Sequence, residues 1–265
     1  MDDIFFLKLA LSFIVGGAWI TLATVLAEKF GTKLGGVIAG LPSTTAIALF
    51  FIAWSQTPFF ASEATTIMPV VMGINSLFVL VYSRLTRYSF WFSLITALGI
   101  WFALSFGLVL IEFDNFILAL VIFTVVLAFS YFILEKKSGI TSVGKKDMTY
   151  TGWQLMSRGI FSGTMIALAV LMGKVSGPLW GGIFSIFPAV YVSIIYITHL
   201  AHGKSFSLAT LKTAMISGQV GVCIYVVTAR YTYLYLDLFW GTFSPYLATL
   251  TCTLVLYYYI NKKVS

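Results

Sequence analysis

Two glycine- and proline-containing segments carry groups from which a solute or ion site inside a membrane can be built. Residues 33–43 read KLGGVIAGLPS, and residues 178–189 read PLWGGIFSIFPA. Proline lacks a backbone N–H and clashes with the preceding turn, so each proline is expected to break a helix and to free backbone carbonyls. Broken helices often form the substrate sites of transporters. We therefore predict a binding site at both breaks, which includes the neighbouring hydroxyl side chains: Pro42, Ser43, Thr44, Thr45, Ser185 and Pro188.

Kinked helices that serve only close packing are the alternative, because proline and glycine are frequent in membrane helices. Two amides extend the candidate site. Asn75 and Gln219 lie 144 residues apart, each inside an apolar run with small polar neighbours. An amide in hydrocarbon needs a hydrogen-bond partner, so these residues either join helices or line a polar cavity.

Two basic residues lie near the start of apolar runs. Lys8 is in the first run and Arg158 is in the sixth. A cation at that depth is costly and marks a functional site unless its side chain reaches back to the interface. The flat guanidinium of Arg158 also suits a carboxylate or a phosphate. We predict that Lys8 and Arg158 place positive charges in two vestibules on opposite sides of the membrane.

Motifs for enzymatic chemistry are absent from the sequence. It contains no HExxH, no GxSxG, no P-loop lysine and no pair of acids inside apolar runs. His199 and His202 lie three residues apart without a Cys, Asp or Glu at ligand spacing, and Cys223 has no ligand cluster nearby. We therefore expect no enzyme activity, no cofactor and no metal site.

Composition places these residues in a membrane. The chain has 265 residues, of which 60% are hydrophobic and 9% are charged, whereas soluble proteins carry about 25% charged residues. Helices are expected because a backbone in lipid must satisfy its own hydrogen bonds. The fold class is therefore all-α, a polytopic membrane protein with about nine transmembrane helices. The apolar runs are 4–27, 34–54, 65–83, 89–111, 115–134, 153–173, 178–200, 209–229 and 242–260, and residues 230–241 form an interfacial segment or a half-helix.

Lysine and arginine predict the orientation of the chain, because they accumulate in cytoplasmic loops. With the N-terminus outside and the C-terminus inside, eleven of them fall at inner ends and three at outer ends. Residues 138–152 then form a cytoplasmic linker. The expected location is the cytoplasmic membrane of a prokaryote.

The linker separates two similar halves, residues 1–137 with five runs and residues 153–265 with four runs plus the short segment 230–241. Pro42 and Pro188 are 146 residues apart, and Gly35 and Gly36 precede Gly181 and Gly182 by the same interval. Because five runs precede the linker, the second half enters the membrane from the opposite side. We predict an inverted-topology internal repeat with broken helices at Pro42 and Pro188.

Part of the second half resembles a known group of proteins. The segments GGIFSIFPAVYVSIIYITHLAHG (181–203) and LATLKTAMISGQVGVCIYVV (208–227) are similar to the core of GlpM-type small bacterial membrane proteins. These are single units of about four spans, and the resemblance covers roughly residues 153–263. The resemblance implies that the chain is a fused, inverted duplication, although Ser12 stands where Arg158 would be matched. It implies an architecture and no substrate.

These features favour a small secondary transporter or exporter of a small anionic or zwitterionic solute, with alternating access around a midplane site. An ion or solute channel and a lipid-handling or accessory protein without a transport cycle are the alternatives. The expected partners are the lipid bilayer and a small-molecule solute, without nucleic acid. The chain could also form a homodimer.

Overall fold

The structure is a computed structural model that describes residues 2–29, 41–137 and 151–264. Every regular element within these ranges is helical. The glycines of the first glycine–proline segment, including Gly35 and Gly36, lie outside the described residues. Most of the predicted linker 138–152 lies outside them as well.

The helices follow the apolar runs closely. Their bounds are α1 Asp3–Lys29, α2 Ser43–Ser55, α3 Pro58–Ala64, α4 Met68–Leu85, α5 Phe90–Leu110, α6 Phe116–Phe132, a π-helical turn Ile133–Lys137, α7 Gly152–Ser176, α8 Pro178–Ser185, α9 Ala189–His202, α10 Lys204–Tyr235 and α11 Leu238–Val264.

Seven helical stretches in the described part of the chain are long and apolar enough to cross a membrane. They are Asp3–Leu26, Met68–Leu85, Phe90–Leu110, Phe116–Lys136, Gly152–Ser176, Pro178–His202 and Lys204–Tyr235. The all-α fold and the class of integral membrane protein are thereby confirmed. The helix Ser43–Ser55 is apolar but shorter than a full span, and the count of nine crossings stays a prediction.

Polar side chains set the beginning of several helices. The side chains of Thr57, Ser89 and Asn115 accept hydrogen bonds from backbone N–H groups in the first turns of α3, α5 and α6. Thr151 and Gln154 form a reciprocal capping box at the start of α7. Such caps satisfy N–H groups that have no partner within the helix.

The structure differs from the expectation of a separate segment at residues 230–241. Helix α10 continues to Tyr235, and α11 already begins at Leu238. The reason is the acid between them, since the Asp237 carboxylate accepts a hydrogen bond of 2.9 Å from the backbone N–H of Trp240. Asp237 thus caps α11, and Leu236 and Asp237 alone connect the two long helices.

The chain forms two compact units, each composed of several segments. The first contains Met1–Thr65, Met148–Ser185 and Ser217–Ser265, and the second contains Thr66–Asp147 and Ile186–Ile216. Each unit therefore takes segments from both halves of the sequence. The halves 1–137 and 153–265 were defined by similarity along the chain, and this division stays a prediction.

In the first unit, α1 and α7 approach each other through glycine. A Cβ atom on Gly163 would lie 2.5 Å from the carbonyl oxygen of Phe13, and one on Gly17 would lie 2.8 Å from that of Gly159. Only glycine permits such an approach of two helix backbones. Because the later residue of α1 meets the earlier residue of α7, the two helices run antiparallel.

These two contacts are related by the 146-residue spacing of the predicted repeat. Adding 146 to Phe13 gives Gly159, and adding 146 to Gly17 gives Gly163. Adding 146 to Phe13 and subtracting 146 from Gly163 converts the first contact into the second, which joins Gly159 and Gly17. Helices α1 and α7 therefore contact each other through positions that this spacing relates.

Candidate functional site

The stretch Pro178–His202 is a membrane-length helix that is interrupted near its centre. Helix α8 ends at Ser185 and α9 begins at Ala189, with Pro188 at its N-cap (φ −74°, ψ 39°) and without a side-chain cap. The backbone N–H of Ala189 donates to the carbonyl oxygen of Phe187 at 2.7 Å. This i→i+2 bond around Pro188 is typical of an inverse γ-turn. The break that the sequence predicts at Pro188 is therefore present.

Asn75 of α4 is bound to this turn. It is buried, its Nδ2 donates to the carbonyl oxygen of Ile186 at 2.8 Å, and its Oδ1 accepts from Trp101 Nε1 at 2.6 Å. The fully buried Trp101 ring packs edge-on against Phe187, with 5.1 Å between ring centroids. All four residues belong to the second unit. The side chains of α4 and α5 therefore hold the backbone that precedes Pro188.

This arrangement brings a buried side-chain amide to the turn that precedes Pro188. The two hydrogen bonds use one N–H and one lone pair of the Asn75 amide, which can engage a further donor and a further acceptor. The first backbone N–H groups of α9 point outward from its N-terminus, where a helix carries a partial positive charge. An amide beside an uncapped helix N-terminus suits a ligand that carries an anionic group.

Pro42 adopts the same local geometry in the first unit. It is the N-cap of α2 with φ −76° and ψ 52°, and no side chain caps the helix. The N–H of Ser43 donates to the carbonyl oxygen of Leu41 at 2.8 Å, and that of Ala46 donates to Pro42 at 2.8 Å. The corresponding bonds at Pro188 are 2.7 and 2.9 Å. Both prolines thus open a helix through an inverse γ-turn.

A small cavity adjoins the start of α2 in the first unit. Its volume is about 200 Å³, and it is lined by Trp19, Leu22, Ala23, Leu26, Leu41, Ser43 and Tyr246. Its wall is largely apolar, with the hydroxyl groups of Ser43 and Tyr246 as polar groups. Of the hydroxyl residues predicted to bind a solute, Thr45 is buried on α2, and Thr44 is half-buried.

The structure places Lys8 at the C-terminal end of α2. Its Nζ donates to the carbonyl oxygen of Trp54 at 2.7 Å and lies 5.1 Å from the centroid of the Trp54 ring. Lys174, from the last turn of α7, approaches the same end through Gln56 Oε1 at 3.5 Å. A helix C-terminus carries a partial negative charge, so both cations are favourably placed to stabilise α2.

The remaining predicted residues all lie in the first unit. Arg158 is half-buried on α7, Gln219 is buried on α10, and the Ser185 hydroxyl donates to the carbonyl oxygen of Gly181 at 2.7 Å. The described contacts bring Asn75 to the turn at Pro188. The other predicted residues lie in the first unit: Lys8, Pro42, Ser43, Thr44, Thr45, Arg158, Ser185 and Gln219.

Sequence reasoning missed two residues of the second unit. Trp101 lies in the middle of an apolar run, whereas interfacial tryptophans lie at run ends, and its buried N–H needed a partner. Lys212 lies inside the run 209–229, is almost fully buried, and forms an ion pair of 2.6 Å with Glu135. A charge within an apolar run was the signal that would have identified it.

Comparison with known proteins finds a family match over less than half of the chain. Residues 155–263 match the model of a protein family of unknown function, DUF3147. The match begins in α7, contains both Arg158 and Pro188, and covers the region where the resemblance was recognised. No curated protein and no solved structure matches the chain. The comparisons therefore supply no activity, and function must be inferred from the site.

Proposed function

We propose that the protein is a small secondary transporter or exporter of a small anionic or zwitterionic solute. The observation that supports this most directly is the interruption of the span Pro178–His202 at Pro188, together with the same turn at Pro42. Discontinuous helices are common at the substrate sites of secondary transporters, because their ends offer unpaired backbone groups.

The preference for an anionic group follows from charge. The N-terminus of a helix carries about half a positive charge, and neither α2 nor α9 has a side chain that caps it. The chain as a whole has sixteen lysines and arginines against nine acids. A carboxylate or phosphate would find N–H donors and a positive field at either helix start.

The proposal includes the finer architecture that the sequence predicts. This is nine crossings in an inverted repeat of five and four, with the N-terminus outside, the C-terminus inside and a relationship to GlpM-type proteins. The antiparallel contact of α1 with α7, which exchanges under the 146-residue spacing, supports inversion. The DUF3147 match to the second half alone supports a fused duplication.

Counterflow in proteoliposomes tests the transport function. Vesicles that contain the purified protein are loaded with unlabelled acetate, succinate, glutamate, glycine or phosphate and diluted into a trace of the same labelled solute. A carrier is expected to accumulate label transiently, because unlabelled solute leaving the vesicle drives exchange. A channel would give uptake without stimulation by the internal solute. No uptake of any of the five would contradict the proposal for these solutes.

A further inference from the structure

A histidine lies at the opposite end of α9 from Pro188. His199 is in the last turn of this helix, and its Nδ1 is 3.0 Å from the hydroxyl oxygen of Tyr82 on α4. The ring of Phe90, at the start of α5, meets the imidazole edge-to-face with 4.8 Å between centroids. Tyr82 is fully buried and His199 is half-buried, and all of these residues belong to the second unit. One side of the imidazole is therefore fixed by protein, while the ring stays accessible.

The hydrogen bond between Tyr82 and His199 depends on whether the ring carries a proton. An imidazole with a free Nδ1 accepts from the tyrosine O–H, whereas an imidazolium donates from both nitrogens. Tyr82 would then accept from Nδ1 and direct its own O–H elsewhere. The Ser207 hydroxyl of α10 interacts with that of Tyr82, and within the described ranges its buried Oγ has no well-formed hydrogen bond. A proton on His199 thus redirects Tyr82 to Ser207 and changes the contacts among three helices.

The groups around the ring offer no negative charge to balance such a proton. The titratable groups that face it are the phenol of Tyr82 from α4 and the ammonium of Lys204 at the start of α10, which acts on the ring electrostatically. The contact from α5 is the apolar ring of Phe90. In the part of the chain that the structure describes, no carboxylate lies within ion-pair distance of His199. The balancing negative charge would therefore have to come from the solute.

Helix α9 connects this histidine with the turn at Pro188. The two residues lie at opposite ends of one helix, roughly 16 Å apart at the rise of an α-helix. A displacement of the last turn is passed to the first turn, because a short helix moves as a unit. Linkage is reciprocal, so a proton that favours anion binding is favoured by the anion to the same extent. A proton that moves together with a monoanion also leaves the charge of the loaded protein unchanged, so the membrane potential does not oppose the step.

We propose that His199 binds a proton that accompanies an anionic solute, so that the protein is a proton–anion symporter. This inference names the coupling ion of the proposed transport function and therefore rests on it. His199 binds the proton, which the imidazole side chain can take up and release near neutral pH. Tyr82 is a positioning residue, since it acts on the proton through the imidazole.

Proton-driven accumulation in proteoliposomes tests the inference separately from transport itself. The probe is labelled glutamate, succinate or phosphate, taken according to which of them shows counterflow. At zero membrane potential, vesicles with an alkaline interior are expected to concentrate the label by up to about tenfold per pH unit for one proton per solute. A protonophore is expected to abolish the accumulation.

Replacing the histidine separates coupling from exchange. His199→Asn keeps a hydrogen-bond acceptor near the position of Nδ1 but cannot bind the proton. We expect this variant to lose proton-driven accumulation and to retain counterflow, which needs no proton gradient. If His199→Asn does not fold, His199→Gln takes its place with the same expectation.

Two further variants control the experiment. His202→Asn is the matched control, because His202 is exposed and its ring contacts Phe206, with 4.8 Å between centroids; it is expected to accumulate label as the wild type does. Tyr82→Phe keeps the imidazole and removes its hydrogen-bond partner. We expect it to retain accumulation and to shift the external pH at which uptake is half-maximal, and an unchanged pH dependence would overturn the role of Tyr82.

A purely structural histidine would give a different result. Counterflow without proton-driven accumulation in the wild type overturns the inference and leaves the proposed transport function intact. Accumulation in His199→Asn equal to that of the wild type also overturns it, because the proton then binds elsewhere. Absence of counterflow in the wild type refutes transport and the inference with it.

Discussion

Replacing Asn75 by leucine removes the amide that holds the turn before Pro188 while keeping a side chain of similar size. The change leaves two buried groups without their present partner, the carbonyl oxygen of Ile186 and the Nε1–H of Trp101. Each orphaned group would cost about 1–3 kcal/mol in a water-soluble protein. Hydrogen bonds between membrane helices are weaker, averaging about 0.6 and reaching about 1.7 kcal/mol. We therefore expect a loss of about 1–3 kcal/mol for the two bonds together.

Unfolding in mixed micelles of detergent and denaturing surfactant measures this loss. Thr124→Val is the control, because the Thr124 hydroxyl bonds only within its own helix to Leu120 and is exposed, and it is expected to stay within about 0.5 kcal/mol of the wild type. Combining Asn75→Leu with Trp101→Phe should give less than the sum of the single effects, since both remove one shared bond. Stability of Asn75→Leu equal to that of the control, or strict additivity, would refute the role assigned to Asn75.

Two further predictions concern the first unit. Gly163→Ala is expected to destabilise the protein by about 1–3 kcal/mol, because its Cβ would lie 2.5 Å from the carbonyl oxygen of Phe13. Gly99→Ala is the matched control, because no atom lies within 4 Å of its Cβ. In the same unfolding assay, the control is expected to show no measurable loss of stability. Lys8→Gln is expected to lower the thermal midpoint slightly through loss of the contact with Trp54, and to weaken the apparent affinity for an anionic solute from outside in sided vesicle uptake. Unchanged uptake from outside would leave Lys8 as an anchor of α2 without a vestibule role.

The membrane class and one helix break could be read from the sequence, because both depend on local chemistry. A chain with 9% charged residues cannot cover a soluble surface, and Pro188 cannot donate the hydrogen bond that a continuous helix needs. The helix start at Pro42 follows from the same property. The sequence also identifies Asn75 as a polar residue within an apolar run, and the structure shows its hydrogen-bond partners.

The partners themselves could not be predicted. Lipid and protein interior are equally apolar, so the sequence of a membrane helix does not indicate which face contacts another helix. The pairing of Asn75 with Trp101 and Ile186, and that of Lys212 with Glu135, joins residues 26 to 111 positions apart. The composition of the two compact units depends on such distant contacts, whereas the division into halves used only similarity along the chain.

The capping role of Asp237 was missed for a different reason. An acid within an aromatic-rich apolar segment suggests an interruption of that segment, and α10 does end just before Asp237. A single carboxylate also suffices to begin a new helix, as it does for α11. The sequence indicates where the apolar run is interrupted but not that the chain needs only two residues to turn.

Counterflow by Pro188→Ala and Pro245→Ala variants tests the proposed site most directly. Pro188 interrupts a membrane-length helix, whereas Pro245 lies inside the continuous helix α11, so the two changes remove the same ring from different backbones. Pro188→Ala supplies an N–H and allows α8 and α9 to join, since lipid favours continuous helices. We expect Pro188→Ala to insert normally and lose counterflow, and Pro245→Ala to retain it. Full counterflow in Pro188→Ala would contradict the claim that the broken helix forms the solute site.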